Sequence, residues 1–194
     1  MQSERKAMKR KTQHIPVADS LQLREITLND VPAIFQLIDT NRSHLRQWLP
    51  FVDYTKAVAD TEAFVKSVTQ EGNTSDLVFV IWHQNQPAGI IGFKSIDLIN
   101  LKLEVGYWLA EDQQHKGLTV RSCSALTKYA FEQMQMNRIQ IKVGVGNVRS
   151  SSIPKKLKFT FEGTERDGEL LSNGRFHDLE VYSLLRKEWK NSGN

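Results

Sequence analysis

Residues 104–122, EVGYWLAEDQQHKGLTVRS, hold the side chains best placed to do chemistry. A carboxylate, Glu104, opens an apolar-rich run that ends at Leu109. A polar loop follows, and at Gly117 the pattern becomes helical. The first turn of a helix has four backbone N–H groups without intrahelical partners, and the macrodipole adds partial positive charge there. A strand feeding such a turn through a loop is therefore a phosphate-binding device. Gly117 lets the backbone come close to a ligand, and His115 and Lys116 add charge-assisted contacts. A single glycine at such a junction also occurs in plain connections, so the rest of the chain has to decide.

Other candidates are scattered. Asn147 and Ser150 stand three apart where a second helix starts, a spacing that also makes an ordinary N-cap. His177 and Asp178 end a turn-rich cluster from Asn173, and a His–Asp neighbour pair is a competing base, although a structural pair is the better reading. Trp48, with Leu49 and Phe51, can line an acceptor groove or simply pack a core. Cys123 has no activating His–Asp pattern beside it and reads as a small buried hydrophobe. The five histidines have no i, i+4 pair, so no metal site is expected.

The elements that must position these groups follow from periodicity. Leu21–Ile26 alternates as a half-buried strand, and a helix runs from Thr27 or Asn29 to about Asp39, with Pro32 in its first turn. Residues 41–51 read as a short helix stopped by Pro50, and a third helix runs from Asp60 or Thr61 to Gly72. Residues 77–82, 88–96 and 101–109 form a three-strand meander. The Gly117 helix carries Leu118, Ala125, Leu126, Tyr129 and Ala130 on one side and ends near Met136. Arg138–Val145 is a strand, 150–157 a helix, and 159–165 with 176–185 a last hairpin around 168–174. The organisation is a basic tail over 1–20, expected to be disordered, and one domain over 21–190.

Composition is that of an ordinary globular protein, with 40% hydrophobic and 25% charged residues. One cysteine excludes an internal disulfide and fits a reducing cytoplasm, and no apolar run reaches membrane-span length. Five cations against Glu4 and Asp19 give the first 19 residues +3 of the net +4. A basic arm of this kind can bind nucleic acid, but the body has no basic stripe with interleaved aromatics. A solvated extension with no specific nucleic-acid role is the preferred reading.

Gln114-His115-Lys116-Gly117-Leu118-Thr119 resembles the Gln/Arg-x-x-Gly-x-Gly/Ala signature of the GNAT N-acetyltransferases, with Thr119 departing at the last place. Residues 41–51 resemble the Arg-x-x-Leu-x-x-Trp-Leu segment of the branch that acetylates alanine or serine N-termini of ribosomal proteins. The element order matches over about 21–190. The resemblance implies an α/β (α+β) fold: a mixed, mostly antiparallel twisted sheet of six to seven strands, splayed into a V and flanked by helices. It implies acetyl-CoA as co-substrate, its pyrophosphate held by Gln114, His115, Lys116, Gly117, Leu118 and Thr119. Backbone groups at Val105, Tyr107, Trp108 and Leu109 would face the acetyl and pantetheine parts. Asn147 would bind pantetheine, and Ser150 would protonate the thiolate, because the tyrosine many relatives use is absent from 147–158. Lys158-Phe159 replaces the family's frequent Gly-Phe.

Thioester-to-amine transfer needs a neutral amine, a polarised carbonyl and a protonated leaving thiolate. A peptide α-amine has a pKa near ~7.7–8, so a modest base suffices, and Glu104 is the candidate. Trp48 and His177 are the candidate acceptor contacts. The leading expectation is a cytoplasmic N-acetyltransferase for protein N-termini, with a homodimer left open. Small-molecule acetyl transfer and non-catalytic acyl-CoA binding are the competing functions.

Overall fold

A computed structural model describes residues 12–191. The chain runs β1 (His14–Ala18), β2 (Leu21–Glu25), α1 (Val31–Thr40), α2 (Arg42–Leu45), α3 (Val58–Thr69), β3 (Leu77–His83), β4 (Gln86–Asp97), β5 (Lys102–Leu109), α4 (Leu118–Glu132), β6 (Arg138–Gly144), α5 (Val148–Lys156), β7 (Thr160–Leu170), β8 (Phe176–Leu185) and α6 (Arg186–Asn191). The strands form one sheet in the order β1-β2-β3-β4-β5-β6-β8-β7. All pairs are antiparallel except β5–β6.

Two cores lie on opposite faces of this sheet. Strand alternation sends Phe79, Ile81, Ile91, Phe93, Leu103 and Val105 to the α4 face. It sends Val80 and Ile90 to the other face, under α1 and α3, where Ile34, Ile38 and Val65 meet them. The buried face of α4 is Leu118, Ser122, Cys123, Leu126, Thr127, Ala130 and Phe131, a helical stripe that includes small polar residues.

Four sequence expectations are corrected. The sheet has eight strands rather than six to seven. One of the additions, β1, lies within the segment read as a tail and pairs with β2. The basic cluster at residues 5–11 lies outside the described residues. The helix expected over 41–51 shrinks to α2, four residues long. Arg42 reaches over that stretch and donates to Val52 O at 2.8 Å and Thr55 O at 2.6 Å, holding the end of a 3-10 turn, Pro50–Asp53, and the residues after it. Finally, β7 runs to Leu170 instead of stopping near 165, through a bulge between Glu165 and Glu169. The Asp178 carboxylate accepts the Asp167 N–H at 2.9 Å in that bulge, where Asp167 has φ 53°.

Candidate active site

β5 and β6 are hydrogen-bond partners only from Lys102↔Arg138 to Glu104↔Gln140. Beyond Glu104 they part: β6 stays with β8, while β5 stays with β4 as far as Leu109. The wedge leaves one backbone edge of β5 over 105–109 without a neighbouring strand. A cleft of about 920 Å³ fills it, running from the start of α4 to Gly168, Glu169 and Leu179 of the β7–β8 hairpin.

At one end is the α4 N-terminus. Gly117 caps it in the left-handed region, φ 69°, where an L side chain is strained, and no heavy atom stands within 4 Å of where a Cβ would project. That open cradle, the free first-turn N–H groups and the lining residues His115 and Arg149 suit a pyrophosphate. Thr119 is already helical, so the position needs no glycine. Gln114 spans the cleft floor, with its Nε2 2.7 Å from His44 Nε2 and its Oε1 accepting from Arg149 Nη1 at 2.8 Å. Leu118, Trp108 and Leu109 also line the cleft. Lys116 does not; its Nζ donates to Gln113 at 3.0 Å.

Midway, α5 and β5 meet. Asn147 lines the cleft and caps α5, its Oδ1 accepting from Ser150 N at 3.1 Å. Ser150 Oγ donates to the Tyr107 hydroxyl at 3.2 Å, and that hydroxyl donates to Ser150 O at 3.1 Å. Burial pushes the Tyr107 phenol far above its ordinary value, so it stays a neutral proton donor. Sequence reasoning found no tyrosine in α5; β5 supplies one at the same hydroxyl.

At the other end stand the carboxylates. Glu104, its side chain 13% exposed, is paired with Lys94 Nζ at 2.8 Å, directly across β4–β5. Glu169, which sequence reasoning missed, lines the same region. Desolvation raises its proton affinity first; Lys94 and His177 oppose that, and the Glu104 charge adds to it. Its only sequence signal was the end of a run between Gly168 and the Asn173-Gly174 turn, which reads as loop. Trp48 lines the cleft, whereas His177 does not: it stacks edge-on against Trp48 with centroids 5.8 Å apart, and its Nε2 is 3.0 Å from Val145 O. Gly144 makes room for both rings; a Cβ there would lie 3.0 Å from His177 Nε2 and 3.2 Å from Trp48 Cε3. Cys123 is fully buried in the α4 core, and burial pushes its thiol far up, as for an inert packing residue. Among the described residues no His, Cys, Asp or Glu cluster could hold a metal, and no helix is long and apolar enough to cross a membrane.

The arrangement can bind a pyrophosphate at one end, hold a thioester along the β5 edge and accept a proton at the other. Comparison with known proteins gives the family. Residues 20–160 match the acetyltransferase (GNAT) domain model. YdaF of Bacillus subtilis (strain 168), which carries a ribosomal N-acetyltransferase name, is 33% identical over 177 residues, 90% of this chain and 96% of the relative. The ribosomal-protein-serine acetyltransferase of Escherichia coli (strain K12) is 29% identical over 90% of this chain and 97% of its own length. The structure of RimL, a ribosomal L7/L12 α-N-protein acetyltransferase in complex with coenzyme A, superposes with a TM-score of 0.85 at 31% identity, covering 91% of this chain and 99% of that one. The chain is a GNAT-fold enzyme and belongs to the GNAT family of N-acetyltransferases.

Proposed function

We propose that this enzyme transfers acetyl from acetyl-CoA to the N-terminal α-amino group of a ribosomal protein, in one ternary complex without an acyl-enzyme. The observation that carries the chemistry is the β5–β6 wedge, with a phosphate cradle at one end and two carboxylates at the other. The names of the relatives support the acceptor.

Pyrophosphate lies on the first turn of α4, and pantetheine follows the β5 edge past Asn147. The thioester carbonyl is polarised by backbone N–H groups of 105–109. The amine enters from the Trp48 side. Its nitrogen attacks the carbonyl carbon, the C–S bond breaks, and the sulfur takes a proton from the Ser150–Tyr107 hydroxyl pair. The amine's proton goes to a carboxylate. Glu104 is already engaged by Lys94, whereas Glu169 is half-buried with raised proton affinity, so Glu169 takes the proton and Glu104 tunes it. Trp48, braced by His177, walls the acceptor side.

The test offers labelled acetyl-CoA with stripped ribosomal proteins and, separately, with a small-molecule amine fraction. Label on one ribosomal protein's N-terminal peptide, reduced about 10²-fold or more by Ser150→Ala or Glu169→Gln, supports the reading. Label confined to small amines replaces the acceptor. Binding of acetyl-CoA without transfer to either removes the enzyme mechanism.

A further inference from the structure

A second cavity, about 360 Å³, lies on the α1/α3 face of the sheet, behind the carboxylate end of the cleft. Its wall includes Ile34, Ile38, Leu49, Phe51, Phe64 and Trp108. Its charged lining residues are Asp76 and Lys94 alone. Two glycines, Gly92 and Gly106, face each other across β4–β5 at this cavity; a Cβ on Gly92 would run into β3, 2.8 Å from Leu77 O, so it is Gly106 that leaves open room. A Cβ on Gly106 would meet only the Lys94 stem, at 3.7 Å from Cε and 4.0 Å from Cδ.

The cavity adjoins the catalytic cleft through a shared wall. Leu49, Lys94, Gly106, Tyr107 and Trp108 line both. Lys94 and Gly106 therefore form a sill between the carboxylates that receive the amine's proton and a greasy chamber the reaction does not use. An acceptor whose amine stands at Glu104 and Glu169 has its second residue one Cα–Cα step, about 3.8 Å, further on. A small first residue clears the sill, and the next side chain reaches the chamber behind it. A chamber of this size and polarity stabilises one large aliphatic or aromatic side chain and rejects a charged or absent one.

We infer that this hollow reads the residue following the acceptor's amino terminus and selects a large apolar side chain there. The inference rests on an α-amino acceptor at this cleft. Its test uses the full chain, acetyl-CoA and synthetic peptides Ser-Xaa followed by one constant sequence, with Xaa as Ile, Phe, Gly or Asp. Wild type is expected to use the Ile and Phe peptides with kcat/KM about 10- to 100-fold above Gly, and Asp below Gly. Gly106→Val fills the sill from the strand and should collapse the Ile-to-Gly ratio towards one. Phe64→Ala, on a residue 42% exposed at the chamber wall, should instead raise Phe relative to Ile. Both readouts are ratios within one protein, so a general loss of rate cancels. Equal use of all four peptides, or an Ile-to-Gly ratio that Gly106→Val leaves unchanged, overturns the pocket while the α-amine reading stands. No turnover of any peptide by an enzyme that acetylates small amines overturns both.

Discussion

Glu104 repels a proton-poor Glu169, and Lys94 stabilises it, so the proton affinity of Glu169 depends on both neighbours. The sign follows for catalysis. Glu169 must be deprotonated to accept the amine's proton, so kcat falls as pH drops through its raised pKa. Glu104→Gln removes a negative charge that raises that pKa and releases Lys94 towards Glu169. Beyond the limb that protonation of the amine itself gives every variant, the step due to Glu169 in the kcat–pH profile is expected to move to lower pH in Glu104→Gln and to disappear, with a low residual rate, in Glu169→Gln. Rate measurements across pH 4–8 on the three proteins check this. A step lost with Glu104→Gln and retained with Glu169→Gln assigns the base to Glu104 instead.

Elements show where the amino-acid sequence was informative and where it was not. β2, β6 and α4 were legible because one face of each is buried, and burial writes its period into residue type: Leu21 and Leu23; Ile139, Ile141 and Val143; Leu118, Leu126 and Ala130. The Gln114–Thr119 loop and Asn147–Ser150 stood out only through the family resemblance, since a turn glycine and an N-cap are common by themselves. β1 and the distal half of β7 were not legible. β7 is an edge strand, largely exposed, with Gly163, Asp167 and Gly168 interrupting it, so neither alternation nor apolarity marks it. Glu169 was invisible for that reason; only pairing across the bulge, Glu169↔His177, brings it to the cleft. Tyr107 was named for its backbone, and its meeting with Ser150 spans 43 residues. The end of α5 supplies its own prediction. Lys158 sits in the left-handed region at φ 59°, the position where helices usually place glycine, while Phe159 N still closes on Pro154 O at 2.9 Å. Lys158→Gly should gain about 0.5–1 kcal/mol, after glycine's entropy is set against relief of the strain. A melting temperature higher by about 1–4 °C would register it, with kcat unchanged.

At the scale of the whole molecule, the wedge interrupts the sheet between its two halves. A ligand lying in it touches β5 and α4 on one side and α5 and β6 on the other, and so joins what the missing strand hydrogen bonds leave apart. Coenzyme A at 100 times its Kd should therefore stabilise the fold by about 2.7 kcal/mol, or about 5–10 °C in melting temperature. Gly117→Val puts a branched side chain into the cradle at a strained φ and should abolish most of that shift in a thermal melt.

The order of the strands also decides where this enzyme can be held. β1 forms the sheet edge furthest from β7, and four strand spacings, about 19 Å, separate it from β5. A tether or affinity handle joined ahead of His14 therefore enters at the end of the sheet remote from the acceptor mouth. Immobilised through that end, the enzyme presents its cleft outward, towards a substrate as bulky as a ribosomal particle.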